Sequence, residues 1–409
     1  MATSQTARNV GLDAQRGDVI RVGFGVTALA KAQTGGAHDG ISHYTDELLT
    51  RFAVGSDVVC TPFSFGIALP SNHPRAVSLH HNAHSYTLSV YPRPAAWSAL
   101  SGRPFTGIGQ IDSSVDLIHA TDHHIPKCVS TPVIATLMDA IPLSHPEWSS
   151  GSFRSIKNAL WLRAIQWADR IITISQYSKS ELVTWAGVSP NKIDVVSLGV
   201  DGRWFRDITP EVFAKVRLTY GLPDSFFISV GTLQPRKNVK ASIEAHRSLT
   251  AAQRARFPLV IVGRAGWKCE EVVRMIEQDT ASGVIRWLQQ VSDQDLLAIL
   301  KLAHGLVFPS LAEGFGLPVL EAFAAQVPVI TSNTSSLPEV AGDAALCVSP
   351  TDVGAITDCM QQLIEDETLR QSLKQKGLMR AKQFSWDACA DGTIDCYRAL
   401  LGAKGQPAR

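Results

Sequence analysis

The chain has 409 residues, which exceeds what one hydrophobic core usually serves, so two domains of ordinary size are expected. Hydrophobic residues make up 45% and charged residues 18%, a balance that fits a folded globular protein and argues against extended disorder. With 38 lysines and arginines against 37 acidic residues, the formal net charge is +1, which provides no global field for nucleic acid or an anionic membrane.

The N-terminal segment and the cysteines indicate the compartment. Residues 1–17 are polar without an apolar centre, so they predict a disordered tail rather than a signal peptide. No later segment has the unbroken apolar length of a membrane span. The seven cysteines show no C-x-x-C and no zinc-type spacing, which predicts buried thiols in a reducing compartment. We expect a cytoplasmic protein, with peripheral contact to the inner face of the membrane as an open alternative.

Short β-branched runs alternate with longer helical patterns along the chain. The rhythm predicts parallel sheets with crossover helices, and fully apolar runs are typical of sheets covered on both faces. We therefore predict an α/β fold with two doubly wound layers. The predicted strands, in chain order, are 20–24, 133–136, 171–174, 193–196, 226–230, 259–262, 305–308 and 328–331.

The periodic pattern is interrupted at residues 199–210 by glycines, charges and a proline, which predicts a domain boundary there. At the end of the chain, Trp386, Cys389 and Thr393 recur near helical spacing. We predict a first domain, a second domain and a C-terminal helix that crosses back to the first domain. Their bounds are 18–203, 204–383 and 384–409, respectively.

A basic pair follows the strand predicted at 226–230, within the sequence V-G-T-L-Q-P-R-K-N. Arg236 and Lys237 therefore stand at the carboxyl end of a strand, where open α/β sheets bind ligands. The guanidinium of Arg236 can act as a fork and the ammonium of Lys237 as a point charge to neutralise a leaving diphosphate. The alternative is an exposed basic loop.

The most informative stretch is F-P-S-L-A-E-G-F-G-L-P-V-L-E-A at 308–322, directly after an apolar strand. Gly314 and Gly316 allow backbone N–H groups to approach an anion closely. A helix that starts near Pro318 directs its positive end to the same place. The stretch therefore predicts a diphosphate site.

Two glutamates flank this glycine turn. Glu321 lies one turn into the predicted helix, where it can accept hydrogen bonds from ribose hydroxyls. Glu313 precedes the turn and can reach sugar hydroxyls. The alternatives are a helix-dipole partner for Glu321 and a solvated loop acid for Glu313.

The two stretches resemble the retaining glycosyltransferases of family 4, in the mannosyltransferase-like branch. The family has the GT-B fold, in which two Rossmann-like domains face each other across a cleft. The same resemblance is carried by A-D-R-I-I-T-I-S at 168–175 with Ser178 and Glu181, by 193–201, and by S-N-T-S-S-L-P-E-V at 332–340. It extends from about residue 20 to residue 400 and is most specific in the second half.

By this resemblance, the second domain binds a nucleotide-sugar donor and the first domain carries the acceptor. Glu313 would contact the donor sugar and Glu321 the ribose, while Thr232 stands where many family members have an arginine. The base would lie near Gly263 and the segment of Leu288, for which a plain core position is the alternative. The implied donor site comprises Gly36, Gly40, Gly231, Arg236, Lys237, Gly263, Leu288, Glu313, Gly314, Phe315, Gly316, Leu317 and Glu321.

Two segments of the first domain also resemble the family. The glycine-rich stretch at 35–45 resembles the loop that faces the donor phosphates, a weak signal by itself. The stretch at 132–142 resembles the segment in which a His-Asp pair faces the sugar, but here Met138 replaces the histidine. The implied catalytic residues are Asp139, Arg236, Lys237 and Glu313. His119, His123 and His124 are nearby in the sequence. Whether one of them substitutes for the missing histidine, or each has an ordinary structural role, stays open.

The resemblance implies a retaining hexosyltransferase that needs no cofactor and no metal, because cations and a helix end stabilise the departing phosphate. The segment 139–148 is most similar to that of mannosyl- and rhamnosyltransferases of bacterial surface-polysaccharide and lipopolysaccharide assembly. GDP-mannose as donor and a glycan or polyprenyl-linked acceptor are implied, with no nucleic-acid partner. The open alternatives are a catalytically weak nucleotide-sugar-binding scaffold and another GT-B enzyme, such as a nucleotide-sugar epimerase.

Overall fold

The computed structural model describes residues 19–35, 39–54, 57–70, 85–148 and 154–404. Contact density divides the chain into two units, Met1–Val133 with Leu401–Arg409 and Ile134–Leu400. No helix in the described ranges is both long and apolar enough to cross a bilayer.

The first unit is built on parallel strands in the order β3-β2-β1-β4. Its core includes Phe24 on β1 and Phe63 on β2, both fully buried. The strands are β1 (Ile20–Gly25), β2 (Val58–Phe65), β3 (Tyr86–Leu88) and β4 (Leu117–Ala120). The described helices are α1 (Thr27–Gln33), α2 (Gly40–Phe52), α3 (Pro92–Ser101) and α4 (Gly109–Asp112).

The second unit begins within β5 and contains three neighbouring parallel strands, β5 (Val133–Thr136), β6 (Arg170–Thr173) and β7 (Ile193–Val195). Three described helices accompany them, α5 (Ile141–Ser144), α6 (Arg154–Ile165) and α7 (Gln176–Ala186). Helix α7 begins where the Ser175 side chain accepts a hydrogen bond from the Ser178 N–H, and ends at Gly187 in the left-handed conformation.

The same unit contains a six-stranded parallel sheet in the order β10-β9-β8-β11-β12-β13. Both faces of this sheet are apolar: Phe227 and Ile261 are buried on one face, and Ile228 is buried on the other. The strands are β8 (Phe227–Val230), β9 (Leu259–Val262), β10 (Ile285–Leu288), β11 (Gly305–Phe308), β12 (Val329–Ser332) and β13 (Leu346–Val348). The helices are α8 (Pro210–Tyr220), α9 (Val239–Ser248), α10 (Ala251–Arg256), α11 (Glu270–Thr280), α12 (Asp293–Leu302), α13 (Leu317–Ala324), α14 (Leu337–Ala341), α15 (Val353–Glu365) and α16 (Glu367–Ala381). The last helix, α17 (Trp386–Lys404), begins in this unit and ends in the first.

The predicted α/β class with parallel sheets is confirmed, and each of the eight predicted strands is present within one or two residues of its predicted bounds. The sequence pattern does not predict strands β2, β3, β4, β10 and β13. The prediction of buried thiols is correct for five cysteines and wrong for Cys128 and Cys347, which are partly exposed. The boundaries of the domains stay predictions.

Candidate functional site

The strand order of the six-stranded sheet reverses between β8 and β11, which places a crevice at the carboxyl ends of these two strands. Gly231 follows β8, and Gly263 follows the neighbouring β9. Gly263 has φ +147°, and a Cβ there would lie 2.1 Å from the Gly231 carbonyl oxygen. The two backbones therefore touch, and the floor of the crevice at this point consists of main chain.

Arg236 and Lys237 lie in a short 3₁₀ turn after β8 and both reach Glu313, which follows β11. Arg236 Nη1 donates to Glu313 Oε2 at 2.5 Å and to the Ala312 carbonyl at 2.7 Å. Lys237 Nζ donates to Glu313 Oε1 at 2.7 Å and lies 4.8 Å from the centre of the Phe308 ring. The structure thus brings together three residues that the sequence analysis assigns to the site.

The side chains of this trio are largely buried, with exposed fractions of 19% for Arg236, 13% for Lys237 and 9% for Glu313. Burial alone would raise the pKa of Glu313, but Lys237 and Arg236 outweigh it and lower the pKa to about 2. Burial lowers the pKa of Lys237 despite the opposing charge of Glu313. The alternatives of an exposed basic loop and a solvated loop acid are therefore wrong.

The glycine turn after Glu313 packs against the segment that follows β5. A Cβ on Gly314 would lie 2.9 Å from the Met138 carbonyl oxygen and 3.3 Å from Asp139 Oδ2, so only glycine fits this approach. Gly316, at φ +118°, precedes α13, which begins at Leu317 with proline in its first turn. Phe315, between the two glycines, is buried.

Asp139 is half-buried near the trio and accepts a hydrogen bond from the Ile141 N–H at 3.1 Å. Burial raises its pKa, and the charge of Arg236 opposes this shift. The charge of Glu181 on α7 also raises the pKa of Asp139. Glu181 Oε2 is buried without a hydrogen-bond partner among the described residues.

Glu321 lies on α13, one turn beyond the glycine turn, and is half-buried. Burial raises its pKa to about 7, against the opposing charge of Arg203. Asp293 and Asp201 raise it further, whereas Lys237 lowers it. Close to neutral pH this carboxyl is therefore a mixture of the protonated form, which can donate a hydrogen bond, and the charged form, which only accepts.

The raised pKa of Glu321 predicts a pH-dependent stability. The folded protein keeps the proton of Glu321 up to about pH 7, whereas the unfolded chain loses it near the ordinary glutamate pKa of 4.5. The contribution of this proton to the free energy of unfolding is therefore complete below pH 4.5 and is lost as the pH rises to about 7. We expect the thermal midpoint of Glu321→Gln, relative to the parent, to rise between pH 5 and pH 8. The exposed Glu270→Gln is the matched control, and a midpoint difference for Glu321→Gln that does not change with pH would contradict the prediction.

Leu288 ends β10 and is half-buried, and its carbonyl accepts a hydrogen bond from the Gly263 N–H at 2.9 Å. Trp287 Nε1 in turn donates to the Gly263 carbonyl at 2.7 Å. Leu288 therefore lies beside the main-chain floor, and it is not a fully buried core residue. Its contact with a base stays a prediction.

Two predicted donor-binding glycines belong to the first unit. Gly36 lies outside the described residues. Gly40 is the first residue of α2 and is exposed. The Asp39 carboxylate caps this helix by accepting the Ser42 N–H at 2.8 Å, and Ser42 Oγ accepts the Asp39 N–H in return. A contact of Gly40 with a donor stays a prediction.

The three candidate histidines lie at or just after β4, also in the first unit. His119 is fully buried against the Phe24 ring, and burial lowers its pKa to about 3. His123 is exposed, whereas His124 is half-buried and its Nδ1 lies 2.8 Å from Asp122 Oδ2. Burial and packing therefore make His119 an interior residue rather than a substitute for the missing histidine.

Asp122, His123 and His124 also form a group of side chains that could hold a metal ion, since their ligand atoms lie within 4.8 Å of one another. It is the single group of this kind within the described ranges. The hydrogen bond between Asp122 and His124 already engages one atom of each side chain. The predicted absence of a metal requirement stays a prediction.

Serines around the glycine turn are functional candidates that sequence reasoning misses. Ser336 Oγ lies 2.8 Å from the Glu313 carbonyl and 2.7 Å from the Phe315 carbonyl. Ser175 and Ser178 donate to the Gly314 carbonyl at 2.8 and 3.1 Å. The segments at 168–175 and 332–340 carry the family resemblance, but a hydroxyl that binds a distant carbonyl has no local sequence signal.

The chain matches two family models, described as "Glycosyltransferase Family 4" over residues 58–203 and "Glycosyl transferases group 1" over residues 217–379. The O-antigen chain mannosyltransferase B of Escherichia coli is 30% identical over 383 residues, which cover 88% of this chain and 96% of that protein. The MMP alpha-(1->4)-mannosyltransferase of Mycolicibacterium hassiacum is 26% identical, with 84% of each chain covered.

The crystal structure of Anabaena Alr3699/HepE in complex with UDP-glucose has a TM-score of 0.70 to this chain, at 15% sequence identity, and the match covers 93% of this chain and 100% of that one. The parallel-sheet architecture is thus the GT-B fold of glycosyltransferases. The chain belongs to glycosyltransferase family 4. The predicted family, fold and general activity are confirmed.

Proposed function

We propose that this glycosyltransferase moves mannose from GDP-mannose onto a glycan or polyprenyl-linked glycan, with retention at the anomeric carbon and without a metal ion or other cofactor. The observation that carries the transfer chemistry is the buried trio of Arg236, Lys237 and Glu313 beside the glycine turn. The choice of mannose is supported by the two relatives, which are both mannosyltransferases. Surface-polysaccharide assembly as the process is supported by the relative that is an O-antigen chain mannosyltransferase.

In the proposed reaction, the bond between C1 of mannose and the β-phosphate oxygen breaks, and the acceptor oxygen forms a bond to C1 on the same face. The acceptor proton passes to the departing phosphate oxygen, so the products are the glycoside and GDP. Arg236 and Lys237 stabilise the negative charge that grows on the phosphate. Glu313 orients a sugar hydroxyl and holds both cations in place, while Asp139 faces the same region.

A polyprenyl-linked acceptor would bring the protein to the cytoplasmic face of a membrane. On α6, Ile156, Lys157 and Arg163 are exposed and Trp161 is half-buried. Apolar and basic side chains on one helix are typical of interfacial contact. These side chains support a peripheral contact as part of the proposal.

The proposal is tested by incubating the purified protein with GDP-mannose and a short mannoside acceptor, with and without EDTA. We expect GDP-mannose to be used in preference to UDP-glucose and dTDP-rhamnose, and the new linkage to be α by NMR. EDTA should leave the rate unchanged. A β linkage would refute retention, and loss of the rate in EDTA would refute metal independence and direct attention to Asp122, His123 and His124.

Met138, in place of the family's histidine, favours a second candidate, a scaffold that binds nucleotide sugars without transferring them. A thermal-shift panel with GDP, UDP and dTDP separates the candidates, because a ligand at one hundred times its Kd adds about 2.7 kcal/mol to stability. Stabilisation by GDP without any transfer would support the scaffold. Conversion of the donor to an isomeric sugar without acceptor would support an epimerase.

A further inference from the structure

The main-chain carbonyls of the glycine turn are held by serine hydroxyls that come from two separate segments of the second unit. Ser336, which precedes α14, lies within hydrogen-bond distance of the carbonyls of Glu313 and Phe315. Ser175 and Ser178, at the start of α7, both donate to the carbonyl of Gly314. Three successive carbonyls of the turn therefore lie within hydrogen-bond distance of serine hydroxyls, and the single proton of Ser336 serves two of them.

These three serines, which we call the serine frame, are fully buried. A fourth serine, Ser335, accepts the Glu313 N–H at 3.1 Å and has φ +58°, a left-handed conformation that is uncommon outside glycine. Uncommon backbone conformations of this kind persist where the surrounding structure fixes them. Buried hydroxyls in low dielectric bind their acceptors more strongly than they would in water, so the frame limits the conformations of the turn.

The serine frame contacts only the carbonyls of the turn and not its N–H groups. The backbone N–H groups of Gly314, Phe315, Gly316 and Leu317 make no hydrogen bond to any residue within the described ranges. Successive N–H groups that end at a helix N-terminus form an anion-binding concavity. Because the carbonyls are engaged by hydroxyls, the turn is oriented so that its amides, rather than its carbonyls, are presented to a ligand.

Glu339 connects the two segments that supply the frame. It lies on α14, three residues after Ser336, and its carboxylate accepts the Gln176 N–H at 2.9 Å and the Tyr177 N–H at 3.3 Å. These are the first amides of α7, where a negative charge is favoured by the helix dipole. Glu339 therefore fixes the helix end from which Ser175 and Ser178 reach the turn.

We infer that Ser175, Ser178 and Ser336, together with Glu339, are positioning residues that hold the turn for the diphosphate of the nucleotide-sugar donor. The inference rests on the proposed function, because it takes the donor diphosphate to bind at the turn. It adds that the L-P-E segment and the two serines of α7 act on donor binding from a distance, without contacting the donor.

The test compares Ser336→Ala and the double variant Ser175→Ala/Ser178→Ala with Ser242→Ala. Ser242 on α9 is equally buried, but its hydroxyl has no hydrogen-bond partner among the described residues, so it measures the effect of a buried serine-to-alanine change alone. We expect the frame variants to raise the KM for the donor about tenfold and leave the KM for the acceptor unchanged. Ser242→Ala should change neither.

A second pair of variants separates positioning from general stability. Glu339→Gln keeps one oxygen as an acceptor for the amides of α7, whereas Glu339→Ala keeps none, so we expect the glutamine variant to recover most of the donor affinity that the alanine variant loses. The thermal shift caused by GDP, and by inorganic diphosphate, should follow the same order. All variants are checked for folding by circular dichroism and thermal midpoint.

The outcomes distinguish a positioning role of the serine frame from a merely structural role and from failure of the proposed donor site. Donor KM values equal to that of the parent in folded frame variants would overturn the frame and leave the proposed function standing. Equal losses for donor and acceptor, in proportion to the fall in thermal midpoint, would make the serines merely structural and would also overturn it. A parent that responds to no nucleotide diphosphate and transfers no sugar would refute the proposed donor site, and the frame with it.

Discussion

Replacing Lys237 by methionine is expected to lower kcat about a hundredfold or more, with a smaller effect on the KM for the donor. Lys237 is buried beside Glu313, and its positive charge would face a diphosphate that gains negative charge as it leaves. An interaction that strengthens in the transition state changes kcat more than it changes ground-state binding. Methionine keeps much of the side-chain length and removes only the charge and its hydrogen bonds. Steady-state kinetics with the donor varied measures the effect.

The matched control is Lys240→Met, which makes the same chemical change three residues further along. Lys240 is 42% exposed and pairs with Glu271, and an exposed pair of this kind contributes little. We expect its kcat to stay within about twofold of the parent. If folded Lys237→Met transferred sugar as fast as Lys240→Met, Lys237 would have no part in stabilising the leaving group.

Gly263→Ala is expected to lower the free energy of unfolding by about 3 kcal/mol or more, because backbone strain and overpacking add at this position. The Cβ would lie 2.1 Å from the Gly231 carbonyl, and no rotamer change can relieve a clash between Cβ and main chain. For a domain of this size the loss corresponds to about 6 to 12 °C in the thermal midpoint. Scanning calorimetry measures it.

Gly283→Ala provides the comparison that separates strain from steric overlap. Gly283 also has a positive φ, +76°, but a Cβ there would have no heavy atom within 4 Å among the described residues. Its replacement should therefore cost only the backbone term, about 1 kcal/mol. Equal midpoints for the two alanine variants would show that the contact between the two glycines is not as close as the structure indicates.

Whether a strand can be predicted from the sequence depends on how completely its residues are buried. Strands such as β9 and β11 are buried at every residue and are visible as apolar runs, whereas β10 and β13 lie at the two edges of their sheet and are partly exposed. Strand β4 is fully buried, but His119 interrupts its apolar run. Edge position and single polar residues therefore hide these strands from a periodicity argument.

The candidate site shows the same division between local and distant information. Arg236, Lys237 and Glu313 can be placed together because each follows a strand of one parallel sheet, and the carboxyl ends of such strands share an edge. The sequence does not predict that both cations contact the same carboxylate, because this contact depends on how the side chains pack. Lys237 and Glu313 are separated by 76 residues in the sequence. The hydrogen bonds from Ser175 and Ser178 to Gly314 span still longer separations.

The contact between the backbones of Gly231 and Gly263 also restricts how this enzyme could be re-engineered. A library that varies either glycine would mainly yield destabilised proteins, since the main chain leaves no space for a side chain at position 263 and φ is positive at both positions. Trp287 and Leu288 lie beside the same floor and are half-buried, so substitutions at these two positions can change its walls. Under the predicted placement of the base beside Leu288, directed evolution toward another nucleotide would therefore begin on β10 and leave the glycines untouched.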